Sequence, residues 1–279
     1  MIIETIDLYK YYGKERGNAN GGFLTVYVRT ESKELKKRIR PAILIIPGGG
    51  YGILSDREGE PVAIKYLNNG FCPFLLSYSI KTAYPAPLIE AMLAVSYIRD
   101  NVEKFNINKN KVCAIGFSAG GHLAGLLTTT TEGEAGQIGK KAKEVRPDAV
   151  VYSYPVITMG EYTHLDTQKN ISAGDETLYG KLSVEKRVDS LTPPAFIWHT
   201  FEDNCVPVEN SLMLANAYRR ANVPFALHIF EHGWHGLSLA DAETNDLAVE
   251  HQGLYYVGKW LILSLDWLKA RGFAMGISM

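Results

Sequence analysis

Cysteine is scarce: Cys72, Cys113 and Cys205 are the only three in 279 residues. An odd count with no short-range spacing excludes a disulfide-stapled scaffold and points to a reducing compartment. No CxxC or HExxH spacing occurs, so neither a metal nor any other cofactor is expected. An excess of one charge is lacking as well. The 29 Lys and Arg stand against 30 Asp and Glu, for a formal net charge of −1. That balance argues against a polyanionic partner, so no nucleic-acid binding is expected. The one basic run, 33–40, includes Glu34 and leads into an apolar strand, as a solvated loop would. No apolar run approaches the roughly 18 residues that suggest a membrane span, so no membrane partner is expected. The first ten residues carry Glu4 and Asp7 and lack a basic region followed by an apolar one. That is not a signal-peptide pattern, and the expected location is the cytoplasm.

What the chain does have is apolar content of 46 %, enough for one large core. Residues 2–9 and 23–29 alternate apolar with polar, as an antiparallel opening pair would. Ala42-Ile43-Leu44-Ile45-Ile46 is instead apolar throughout, which fits a strand buried on both faces. Similar short runs follow at 71–78, 112–115, 149–152, 195–198 and 225–230. Pro73 is awkward inside the first of these, so that strand is expected to start nearer Phe74. Helical spacing marks 57–69, 87–104, 208–221 and 252–271. A turn is expected at 106–110, and 133–146 reads as polar and loosely structured. The alternation of strand and helix after residue 40 predicts a mostly parallel eight-stranded sheet with helices on both faces. One domain, 1–279, is expected, with a loop or cap insertion at about 156–194. The stretch 159–194 is polar, carries several Gly and Pro, and has no clear period, as a functional insertion would.

In such sheets the site lies at the carboxyl ends of the strands, and four motifs fall there. Gly116-Phe117-Ser118-Ala119-Gly120 follows one strand and opens a helix, which is the pattern of a nucleophile elbow. Ser118 would be lifted above the sheet edge, with the Ala119 N–H at a helix N-terminus beside it. Past the strand ending at Trp198 come Glu202 and Asp203. Asp203 is placed to orient an imidazole, or else to cap the helix that follows. Past the strand ending at Phe230 come His232 and His235. His235 is the candidate general base and His232 its competitor. Pro47-Gly48-Gly49-Gly50-Tyr51 follows the third strand, where glycines allow backbone N–H groups to approach a substrate. Gly49 or Gly50 should supply one oxyanion donor and Ala119 the other, with Tyr51 as a candidate substrate contact. No Lys-Ser/Thr follows the glycines, so this is not a phosphate-binding P-loop. The order Ser118, Asp203, His235 is the hydrolase order, each residue after a different strand.

With these stretches in place the chain resembles the α/β-hydrolase superfamily, and within it the small esterases of the acetyl-esterase, acetylxylan-esterase-like and feruloyl-esterase-like group. Arg57-Glu58-Gly59-Glu60-Pro61 and Tyr84-Pro85-Ala86-Pro87-Leu88 extend the resemblance, which covers most of 40–270. It implies the α/β-hydrolase fold and a triad at Ser118, Asp203 and His235. The implied activity is cofactor-free hydrolysis of short acyl esters through an acyl-enzyme. The expected substrate is a small-molecule ester, such as an acetylated oligosaccharide rather than polymeric xylan, and a homodimer is an open expectation. The alternatives are a peptidase or lipase on the same fold, or a non-catalytic binding module of hydrolase descent. A lipase would want a more apolar insertion. A peptidase of this fold often carries a separate gating domain.

Overall fold

The computed structural model describes residues 1–30, 32–245 and 254–277. Its centre is the strand predicted to be buried on both faces, β3 (Arg38–Ile46), in which residues 42–46 have no solvent exposure. Around it lie β1 (Ile2–Asp7), β2 (Phe23–Val28), β4 (Cys72–Ser77), β5 (Ile107–Phe117), β6 (Ala149–Ser153), β7 (Ala195–Thr200) and β8 (Phe225–Phe230). The order is β1-β2-β4-β3-β5-β6-β7-β8. The pairings of β1 with β2 and of β2 with β4 are antiparallel, and those from β4 to β8 are parallel. The two-residue β9 (Gly276–Ile277) adds an antiparallel pairing at the start of β3.

Among the described residues six helices reach eight residues or more: α1 (Glu60–Asn68), α2 (Ala86–Asp100), α3 (Ala119–Thr128), α4 (Leu165–Ser172), α5 (Glu209–Arg220) and α6 (Trp260–Ala270). The pleat divides the core between two layers. Ala42, Leu44 and Ile46 of β3 pack with side chains of α2, α3 and α5. Ile43 and Ile45 face the other way, toward α1 and α6. This is the mostly parallel, doubly covered sheet that the apolar runs require. No helix among the described residues is long and apolar enough to cross a membrane.

The structure corrects several boundaries. Strand β4 begins at Cys72, with Pro73 inside it. Its antiparallel partner β2 engages only from Phe74, whereas β3 pairs with Pro73 itself, so the proline falls where the strand has a neighbour on one side. The expected turn at 106–110 narrows to Asn106 in the left-handed conformation, and β5 runs from the buried Ile107 through the exposed Asn108, Lys109 and Asn110. Two short helices, Glu132–Gly136 and Ala142–Val145, occupy the stretch expected to be loose. The expected helix at 252–271 is broken at Gly258 and Lys259, between Leu254–Val257 and α6, and its first two positions lie outside the described residues. Within 156–194 the ordered pieces are α4, a single turn at Tyr179–Leu182 and two 3-10 turns.

Candidate active site

Ser118 stands between the end of β5 and the first residue of α3, with φ 53° and ψ −120°. A non-glycine residue held there is strained, and such strain concentrates at functional sites. The glycines on either side permit it. A Cβ on Gly120 would lie 2.1 Å from the Ile46 carbonyl of β3, and one on Gly116 would lie 2.3 Å from the Gly120 carbonyl. The elbow therefore sits closer to both the neighbouring strand and its own helix than any side chain allows.

The sheet brings the other two residues to it. Asp203 lies three residues beyond β7 and His235 five beyond β8, and these two strands are parallel neighbours. His235 Nδ1 is 2.6 Å from Asp203 Oδ2, and its Nε2 is 2.7 Å from Ser118 Oγ. A carboxylate only accepts, so Nδ1 carries the ring proton and Nε2 is free to accept the Ser118 hydroxyl. Asp203 Oδ1 accepts the backbone N–H of Cys205 and of Val206, both at 2.9 Å. It does not cap α5, whose preceding residue is Val208. His199, inside β7, brings its Nε2 to 3.3 Å from Asp203 Oδ2. Burial pushes the Asp203 carboxyl up, but the hydrogen bonds from His199, His235 and Val206 outweigh it and hold the group well below the usual carboxylate range. Glu202 and His232 pair with each other instead, 3.0 Å apart in solvent.

The glycine loop closes the far side. The Gly48 N–H is taken by Glu58 Oε2 at 2.7 Å, so it is not available to a substrate. Among the described residues no acceptor engages the N–H of Gly49 or Gly50. The Ala119 N–H, first in α3, has no partner within its helix. Glu58 is buried, and its Oε1 accepts the Tyr154 hydroxyl at 2.7 Å. Burial pushes the Glu58 carboxyl up, against the opposing effect of these two hydrogen bonds.

A cavity of about 520 Å³ opens over these groups, lined by Gly49, Gly50, Ser118 and His235 together with His164, Asp166 and Asn170 from the polar stretch 159–194. Asn170 Nδ2 donates to the Gly50 carbonyl at 2.8 Å, and the His164 ring lies beside Gly50, its Cε1 3.5 Å from where a Cβ there would stand. His164 Nδ1 accepts the Thr167 N–H at the start of α4, at 3.3 Å. Burial lowers the His164 pKa, and nearby His235 lowers it further, so this imidazole is biased toward the neutral form. Arg57 and Lys81 add positive charge to the same wall. A larger cavity, about 680 Å³, lies at the amino ends of the strands among Arg29, Arg38, Arg40 and Leu67. It holds none of the residues just described. Among the described residues no group of three or more His, Cys, Asp or Glu is arranged to hold a metal.

Ser118, His235, Gly49 and Gly50 therefore line one cavity, with Asp203 behind His235 and Ala119 next to Ser118 in the chain. Tyr51 does not. Its side chain is fully buried, its hydroxyl bonds to His122 Nδ1 at 2.9 Å and its ring packs on Tyr78, so it braces the loop from beneath. Tyr78 is likewise buried, with its hydroxyl on the Pro47 carbonyl. No strand-end motif of the sequence contains Glu58, His164 or His199. His199 lies one residue past the apolar run ending at Trp198, His164 lies inside the polar stretch 159–194, and Glu58 stands in the Arg57–Pro61 stretch that extends the family resemblance.

The sequence profile of the BD-FAE family matches residues 25–218. Endo-1,4-beta-xylanase B of Butyrivibrio fibrisolvens is 42 % identical over 214 residues, which are 73 % of this chain and 33 % of that protein. Acetylxylan esterase of Xylanibacter ruminicola is 31 % identical over 229 residues, 79 % of this chain and 45 % of that protein. The chain thus spans less than half the length of these two relatives. The crystal structure of an acetyl ester-xyloside bifunctional hydrolase from Caldicellulosiruptor lactoaceticus superimposes with a TM-score of 0.82 at 35 % identity, covering 97 % of both chains.

Proposed function

Because the chain belongs to the BD-FAE family of α/β-hydrolases, we propose that it is a serine carboxylesterase acting on short acyl esters, above all acetyl esters of sugars. The observation that carries this reading is the unbroken hydrogen-bonded chain Asp203–His235–Ser118 at the floor of an open cavity. His235 Nε2 takes the Ser118 proton as Oγ attacks the ester carbonyl. Asp203 holds the tautomer and stabilises the imidazolium that forms. The tetrahedral oxyanion is met by the Ala119 N–H and by that of Gly49 or Gly50. His235 then gives its proton to the departing alcohol, and water repeats the sequence on the acyl-enzyme.

Two observations support an acetylated sugar. The cavity wall supplied by the stretch 159–194 is polar, through His164, Asp166 and Asn170, which suits a hydroxylated alcohol moiety better than a long acyl chain. The relatives include an acetylxylan esterase and an acetyl ester-xyloside hydrolase. Hydrolysis of p-nitrophenyl acetate tests the reaction. Ser118→Ala should abolish it while the circular dichroism spectrum is unchanged, and undiminished turnover would rule out Ser118 as nucleophile. A panel of acetyl, butyryl and feruloyl esters with acetylated xylo-oligosaccharides tests the substrate class. A preference for the butyryl or feruloyl members would overturn the acetyl assignment.

A further inference from the structure

Glu58 is a buried carboxyl group that the reaction just described does not use. It ends the 3-10 turn Asp56–Glu58, between the glycine loop and α1, and only 2 % of it is exposed. Withdrawing a carboxylate from water is costly unless strong hydrogen bonds replace its hydration. The partners here are the Gly48 N–H on Oε2 and the Tyr154 hydroxyl on Oε1, each at 2.7 Å.

Each partner belongs to a different part of the candidate site. Gly48 leads directly into the peptides of Gly49 and Gly50. It is wedged against the elbow: a Cβ placed on it would lie 2.8 Å from Glu58 Oε2, from the Phe117 carbonyl and from Ser118 Cβ alike. Tyr154 follows β6, and its ring packs edge-on against the His235 imidazole, with centroids 5.0 Å apart at 70°. The Tyr154 oxygen also accepts the N–H of Ser238, three residues beyond His235, at 2.8 Å. Its single proton is therefore committed to Glu58. Glu58 thus joins the loop that presents the oxyanion donors to the loop that presents the base, beside the Ser238 hydroxyl, which donates to the Arg57 carbonyl. The rest of the glycine loop is closed by turns of its own, Gly52 and Ile53 N–H to the Gly49 carbonyl and Ser55 N–H to the Gly48 carbonyl. None of these reaches the His235 side.

We propose that Glu58 is a positioning residue: by holding the Gly48 N–H and the Tyr154 hydroxyl together it fixes the glycine loop relative to His235 and aims the N–H of Gly49 or Gly50 at the oxyanion that forms over Ser118. The proposal rests on the ester-hydrolase reading. A displacement of an oxyanion donor weakens binding of the transition state more than of the ground state. The effect belongs in kcat and leaves KM nearly alone.

The test is steady-state hydrolysis of p-nitrophenyl acetate, with active sites counted by fluorophosphonate labelling so that kcat refers to folded, reactive enzyme. Glu58→Ala should lower kcat about 10²-fold, the scale of losing one oxyanion donor, with KM within a few-fold of wild type. Glu58→Gln keeps a carbonyl acceptor for the Gly48 N–H but leaves the Tyr154 proton unmet, so it should recover most of that loss. Tyr154→Phe removes only the second arm and should lower kcat about fivefold to tenfold, the worth of one buried hydrogen bond. Wild-type kcat per labelled site in Glu58→Ala overturns the proposal, as does a Gln variant no better than Ala. If Glu58→Ala does not fold, Tyr154→Phe decides alone, and an unchanged kcat overturns the proposal. Absence of ester turnover in the wild-type protein would count against the esterase reading itself, a different failure from any of these.

Discussion

Two carboxylate–imidazole pairs sit side by side past the ends of β7 and β8, and only one of them reaches Ser118. Glu202 and His232 are 3.0 Å apart with side chains 53 % and 58 % exposed. Asp203 and His235 are 2.6 Å apart with side chains 0 % and 18 % exposed. The acids are adjacent in sequence and the bases three residues apart. Because successive residues leave a strand end in different directions, Glu202 turns to solvent, where its Oε2 also accepts the Gly233 N–H at 3.1 Å. Asp203 turns inward to two backbone N–H groups and His199. An exposed pair competes with water and holds its geometry weakly. In the inward pair the carboxylate is wholly buried, and its imidazole has a second hydrogen-bond partner, Ser118. Chemical type alone does not separate the two pairs; burial and the remaining hydrogen bonds do.

The largest expected effect tests the bases against each other. His235→Ala should reduce p-nitrophenyl acetate turnover on the order of 10⁶-fold, as loss of a triad base does elsewhere. His232→Ala should stay within about twofold of wild type, because an exposed ion pair contributes little. Comparable losses in the two variants would erase the distinction. The acids give the next contrast. Asp203→Asn should lower kcat about 10⁴-fold by leaving His235 in the wrong tautomer, while Glu202→Gln should leave kcat unchanged. A Glu202→Gln loss of the same size would move the acid to the neighbouring residue.

The inward pair could be picked out in the sequence because position along the chain stands in for position in space. In a parallel sheet each continuous apolar run ends at the same edge, so polar residues just beyond residues 198 and 230 had to lie near the elbow. The same rule placed Gly49 and Gly50. Tyr51 escaped it, because an aromatic after a glycine loop reads alike whether its ring faces the cavity or the core. Here His122, one turn into α3, offers the buried partner that draws the ring inward. Glu58 was equally illegible, since Glu60 stands two residues away in the same polar turn. What distinguishes Glu58 is the packing of Gly48 against the elbow, a contact across 70 residues of chain (118 − 48) that no local pattern encodes. The stretch 159–194 had no period to read because its ordered pieces are α4 and single turns. Its contribution to the cavity wall emerges only where α4 docks on Gly50.

The smallest effect that still separates the pairs is on stability in acid. Asp203 has a carboxyl held well below its ordinary value, through His199, His235 and Val206 acting against burial. The folded protein therefore binds this proton less readily than the unfolded chain does. The stabilisation is fully present above the unfolded value, about 3.9. It is lost as pH falls from there through the lower folded value, where the unfolded chain takes up the proton first. Glu202 is lowered too, by the hydrogen bond from His232, but it lies in solvent and is screened. Urea midpoints measured from pH 7 down to about pH 2.5 should thus fall less steeply below pH 4 in Asp203→Asn than in wild type, whereas the Glu202→Gln curve should run parallel to wild type. Equal flattening in both variants would mean that the two carboxylates differ in exposure without differing in their coupling to the fold, and the inward pair would then owe its place in the site to geometry alone.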